Sequence, residues 1–168
     1  MTEFHFPGAT RAFPAGLAAN NRKDWFEGHR AAYDRDWRAP QKAAGDVLLA
    51  DVDRLTGRRH RAKLFRIFDD VRFARGRPPY KTNLAMLFEE VPAQGFGPAF
   101  YLSLEIDRLV IGCGVPVFMD DALDRWRAAV AGARGAALAD LLAEAQAAGA
   151  ALVPPEMKVN EVQLFVVQ

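Results

Sequence analysis

A chain of 168 residues is long enough to bury one self-sufficient core and too short for two, so a single domain over residues 1–168 is expected. With 51% hydrophobic and 26% charged residues, the composition excludes disorder, a collagen-like repeat and a pure coiled coil, and the lone Cys113 excludes a disulfide framework or a cysteine-rich zinc site. The 22 basic and 21 acidic residues nearly cancel, yet Arg54 to Lys81 holds ten basic residues against Asp69 and Asp70, a net +8 that leaves −7 for the rest.

Ala9 to Ala19 predicts a short helix with Phe13 and Leu17 on one face, weakened in its middle by Pro14, which lacks an amide donor. Asn20-Asn21 punctuates the chain, and Asn21 followed by Asp24 suits the cap and first turn of a second helix. In that helix Trp25, Phe26, His29, Tyr33 and Trp37 recur at helical spacing, with charged residues between them. Such a stripe is a core face and not a base-stacking platform. Pro40 opens a third helix at its first position, and Ala44, Val47, Leu48, Asp51 and Leu55 keep the rhythm until Gly57.

From Lys63 the period changes. Leu64, Arg66 and Phe68 alternate with Phe65, Ile67 and Asp69, which predicts a strand carrying one arginine among apolar side chains. Asp70 to Asn83, with Gly76 and Pro78-Pro79, reads as a loop. Leu84 to Glu89 returns as a strand, although Leu-Ala-Met-Leu also suits a helix, and Gly95, Gly97 and Pro98 mark a connection. Phe100, Leu102, Leu104 and Ile106 then form one face of a strand that turns at Asp107-Arg108 into Leu109 to Val115, the strongest hairpin signal in the chain. Gly112 and Gly114 lack side chains, so a helix, backbone or ligand has room to approach there. Met119 to Ala131 and Ala136 to Ala148 predict a helix pair, and Val162 to Val167 a strand of unspecified pairing. The expected architecture is α+β: N-terminal helices and a C-terminal helix pair packed on a central mostly antiparallel sheet.

Common catalytic signatures are missing. Neither GxxxxGK[ST] nor a strand-to-helix GxGxxG occurs, Ser103 is the only serine and has no GxSxG elbow, and His5, His29 and His60 lack HExxH spacing. Cys113, between glycines on an apolar strand, reads as structural, and no metal site is expected. What remains is the basic block. Arg66, Arg72, Arg75, Arg77, Tyr80 and Lys81 form a donor field suited to a phosphate or carboxylate, with Asp69 and Asp70 as acid/base groups or charge-balancing partners.

Several of these segments carry a resemblance. Phe4 to Pro7, Leu17 to Glu27 with Arg30, Tyr33 and Pro40, Leu64 to Phe73, Pro79 to Thr82, Phe100 to Glu105 and Gly112 to Gly114 together resemble the widespread uncharacterised family called domain of unknown function 2461, over about residues 4–130. The resemblance implies a similar α+β layout and brings no reaction, cofactor or substrate. Its Phe-Arg-Ile pattern falls on Phe65 to Ile67, its Arg-Phe pair on Arg72-Phe73 and its Pro-Tyr-Lys-Thr pattern on Pro79 to Thr82. Asp69 replaces a usual arginine, Ala74 to Pro78 replaces a Ser-Lys-Asp-Lys-Ser/Thr pattern, and Ser103 stands where histidine is common. The resemblance implies a further basic and aromatic C-terminal element; a shortened or altered one is expected here, and with it self-association.

Three readings follow. The first is an intracellular, cytoplasmic protein binding an anionic small molecule through the arginine-rich segment; its cofactors, if it has any, are unknown. The second is a noncatalytic nucleic-acid or protein interaction module. The third is a magnesium-assisted phosphoryl hydrolase or transferase, with Asp70 as base or metal ligand and Arg66 and Arg72 as clamps. No apolar run is long enough for a bilayer span, so no membrane partner is expected.

Overall fold

The computed structural model describes residues 5–69, 78–91, 98–115, 118, 121–153 and 164–167. The first helix, α1 (Gly8–Ala19), carries Pro14 in its interior without breaking and buries Thr10, Phe13, Pro14 and Leu17. A nearly continuous helical run follows, made of α2 (Lys23–Gly28), the single turn α3 (Arg30–Ala32), a π-helical segment (Tyr33–Arg38) and α4 (Ala39–Thr56). Asn21 does not cap α2. Arg22 holds the cap position, and the Asn21 amide instead donates to the Tyr80 carbonyl (2.7 Å) and accepts from the Tyr80 N–H (3.1 Å), so it acts as a piece of backbone for a distant loop.

Pro40 lies in the first turn of α4 as its residue type requires, but no break precedes it. A proline ring four residues beyond Asp36 would crowd that residue's carbonyl in a regular α-helix. The widened π turn, in which the Ala39 N–H reaches back to Asp34, ends just before it. Gly57, at φ 67°, closes α4 in the left-handed conformation with its N–H on the Asp53 carbonyl (2.9 Å). Leu55 departs from the expected apolar rhythm: it is 80% exposed, because the packed face of α4 ends with Leu48, Leu49 and Val52.

Among the described residues, six strands pair antiparallel throughout, in the order β1-β2-β3-β4-β6-β5. They are β1 (His60–Leu64), β2 (Leu84–Glu90), β3 (Ala99–Leu104), β4 (Leu109–Gly114), β5 (Ala150–Val153) and β6 (Leu164–Val167). The expected strand through Asp69 is therefore corrected to an earlier one that stops at Leu64. The reason is local. The Phe65 N–H still reaches the Ala85 carbonyl (3.0 Å), but the buried Gln41 amide donates to the carbonyls of both Phe65 (3.1 Å) and Ala85 (3.0 Å). A side chain thus enters where the ladder would continue, and among the described residues of this stretch an isolated bridge between Phe68 and Tyr80 follows.

The ambiguous Leu84 segment is a strand whose residues from Leu84 to Glu89 are all buried, which explains why it shows no alternation. The β3–β4 hairpin forms as expected, its turn tied by the Glu105 N–H on the Arg108 carbonyl (2.9 Å). The core joins the aromatic stripe to the sheet: Phe26, Tyr33 and Trp37 cluster with Phe13, Leu17, Ile67, Tyr80, Leu84, Met86, Phe88, Leu102 and Leu104. The C-terminal pair is α5 (Ala122–Val130) and α6 (Ala133–Ala147), followed by β5, which the hydrophobic pattern did not reveal, and by β6 between β4 and β5. Neither helix has a buried residue, although Trp126 rests 5.7 Å from the ring of the buried Phe118. Among the described residues, no helix is long and apolar enough to cross a membrane.

Candidate functional site

Where the π segment and α4 pass the edge strand β1, they leave a cleft of about 890 Å³. That volume lies within the roughly 300–1,000 Å³ of small-molecule sites. The helical wall supplies Tyr33, Asp34, Arg38, Gln41, Lys42 and Asp46; the opposite wall is β1 with Phe65 and Arg66. The helical charges stand at successive spacings of four, and each basic one has an acidic neighbour: Arg38 with Asp34 at 3.5 Å, Lys42 with Asp46 at 2.6 Å. Both pairs are exposed, so water screens them and they hold their cations only weakly. Arg61 pairs with the buried Glu89 at 2.9 Å. Arg66 differs: among the described residues no carboxylate pairs with it.

Two further groups shape the cleft. Tyr33 is nearly buried, and burial pushes its phenol above the usual value, with Asp34 adding to the rise and Arg38 and Arg30 opposing it. It therefore stays a neutral hydrogen-bond donor at ordinary pH. His60 has a side chain only 2% exposed, with Nδ1 2.9 Å from Asp53 Oδ1, the same oxygen that accepts the His60 backbone N–H (2.8 Å). Asp53 thus fixes both the ring and the start of β1, and Nε2 is the ring's remaining polar atom.

The residues singled out from the sequence are only partly brought together. Arg66 reaches the cleft, by leaving the sheet and not by alternating within it. Lys81 stands next door, its ammonium 5.7 Å from the Phe65 ring, which also lies 5.2 Å from the Lys63 ammonium. Tyr80 is in the core, stacked on Phe26 at 4.4 Å. Asp69 is half-buried and its N–H bonds the Pro79 carbonyl (3.0 Å). Asp70, Arg72, Arg75 and Arg77 lie outside the described residues. The sequence reasoning missed Arg38, Lys42, Arg61 and the Asp53–His60 pair. A helical run of Asp34, Arg38, Lys42 and Asp46 was the available signal for the first two.

Elsewhere, His29 is stacked on Trp25 at 3.9 Å with Nδ1 2.8 Å from the Trp25 carbonyl oxygen, a satisfied surface histidine. Burial pushes the Cys113 thiol up, away from the reactive thiolate. Among the described residues, no three or more His, Cys, Asp or Glu side chains gather as a metal site.

The family model described as "Conserved hypothetical protein (DUF2461)" matches residues 9–159, most of the chain and all of the helical layer but its first residue. The chain belongs to this family. Every wall of the cleft falls within the DUF2461 match, so the cleft is built from the family's own segment and not from an appended one. No curated protein and no solved structure matches.

Proposed function

We propose that the cleft between α4 and β1 binds a ligand bearing a phosphate or carboxylate, with Arg66 as its anchor. The observation that carries this reading is an arginine lining a concave, partly apolar cavity without a carboxylate partner among the described residues. Its planar fork suits two oxygens of one anion, and the Tyr33 phenol, Arg38 and Lys42 stand on the facing wall. Leu49, Ala62 and Leu64 provide apolar surface for the rest of the ligand. Because Phe26 and Trp37 are 1% exposed and Tyr33 is 8% exposed, the aromatic stripe is not displayed for base stacking, which supports a small-ligand reading over a polynucleotide surface.

Calorimetry with inorganic phosphate, nucleoside monophosphates and dicarboxylates tests it on the wild type, Arg66→Lys and Arg66→Ala, with folding checked by circular dichroism. Arg66→Ala should weaken binding about tenfold or more, and Arg66→Lys should recover part of the loss, because lysine keeps the charge and loses the fork. Unchanged affinity in both folded variants would overturn the assignment. Binding only to DNA or RNA, with log affinity falling steeply as log salt rises, would favour the nucleic-acid module instead.

A further inference from the structure

The cleft runs along an outer strand of the sheet. β1 is the first strand in the order, and among the described residues it pairs only with β2. The Val91 N–H on the Arg59 carbonyl and the Phe65 N–H on the Ala85 carbonyl show which residues of this stretch bond inward: the odd-numbered ones. The even-numbered residues turn their N–H and C=O groups away from β2. His60 confirms the direction, since its N–H meets Asp53 of α4. Ala62 and Leu64 come next, and among the described residues nothing bonds the backbone groups they turn outward. Both residues line the cleft, with α4 as the opposite wall.

An edge strand beside a helix, with a groove between them, is the geometry in which an extended peptide adds to a sheet. We propose that β1 is a docking edge for an extended peptide that alternates acidic and apolar residues, bonded through Ala62 and Leu64. The occupant follows from the two faces of the edge. Ala62 and Leu64 project toward the side on which α4 packs, where Leu49 adds further apolar surface; Arg61 and Lys63, one residue out of phase, share the face of Glu89 and Leu87. A strand laid against β1 repeats that alternation, so its apolar side chains enter the groove and its acidic ones meet Lys63, with which no carboxylate among the described residues pairs, beside Arg61, which Glu89 already holds. Arg66, just past the strand end, takes a further carboxylate, and in this respect the inference rests on the anion reading of the cleft. A second copy of β1 is a poor occupant, because it would bring its own Arg61 and Lys63 against these cations.

The probe is a short fluorescein-labelled peptide alternating valine and glutamate, compared with a valine–lysine version and with copies N-methylated on alternate backbone nitrogens in either register. Anisotropy should show binding of the glutamate peptide, little binding of the lysine peptide, and a loss of about tenfold on N-methylation in one register only. Amide exchange should slow at Ala62 and Leu64. Ala62→Pro, which removes an outward N–H and leaves the β1–β2 ladder intact, should weaken the peptide and spare inorganic phosphate. If that variant fails to fold, the methylated peptides decide the matter alone. Affinity indifferent to N-methylation in both registers, or no protection at Ala62 and Leu64, overturns the docking edge. Arg66-dependent binding of phosphate or succinate without peptide binding overturns it too while leaving the anion reading standing; binding of neither rejects both.

Discussion

The two helical parts of this molecule are built on opposite terms. In the N-terminal layer every element contributes to one core: Phe13, Phe26 and Trp37 lie in a ring cluster with Trp37 only 5.7 Å from Phe13, and α4 seats Ala44 at 0% exposure. In the C-terminal pair, α5 and α6 bury no residue, and Leu141 is 62% exposed. Both parts have helical periodicity. What separates them is how much of the apolar stripe a second surface receives: among the described residues the first layer seats its rings on β2 and β3, while α5 and α6 meet chiefly each other and β5. The densest packing thus lies behind the helical wall of the cleft, where Tyr33, Ala44 and Leu49 join the core.

The largest effect should come from Trp37→Ala, which removes a ring 1% exposed and leaves a cavity, costing about 3–5 kcal/mol. Chemical denaturation measures it, and a cost under about 1 kcal/mol would break the comparison by showing that the N-terminal layer is not the main core. A smaller, pH-dependent effect belongs to Tyr33. Its phenol is raised by burial, so the folded state favours the neutral form. The resulting stabilisation is fully present below the unfolded-state value near 10 and fades as pH rises through the folded one. Tyr33→Phe should flatten the alkaline decline in melting temperature, and an unaltered decline would place the relevant titration elsewhere. The smallest effect is Leu141→Ala, expected within about 0.5 kcal/mol of wild type. A loss comparable to that of Trp37→Ala would show that α6 has a packing surface of equal weight.

Most of the architecture was legible because it rests on periodicity. The stripe from Trp25 to Trp37, the hairpin around Asp107-Arg108 and the α+β layering all follow from it and are present. Failures arose where a single side chain overrides the local pattern. Gln41, an unremarkable polar residue in an α-helix, ends β1 by bonding two carbonyls that are 24 and 44 residues away. No local rule reveals such a partner. Asn21 has a good capping residue type but serves Tyr80 instead. The site was half legible for a related reason: clustering of charge along the chain pointed to Arg66, while the facing cations come from another element and meet it only in three dimensions. Strand β5, alanine-rich and only four residues long, gives almost no signal for extended structure.

The Asn21 clasp on Tyr80 has a consequence in time. It joins residues 59 apart in the chain, and the two Gln41 bonds span intermediate lengths, so each closes a long loop for a few hydrogen bonds. The β3–β4 hairpin closes a far shorter one. Loop-closure entropy therefore predicts that local pairing such as this hairpin forms before the clasps. Loosening such a late contact accelerates unfolding and leaves the folding rate almost untouched, so Asn21→Ala should have a φ-value near about 0 in a chevron experiment. The clasp is thus expected to act as a latch on the native state, setting how long the cleft persists once formed and not how quickly it forms.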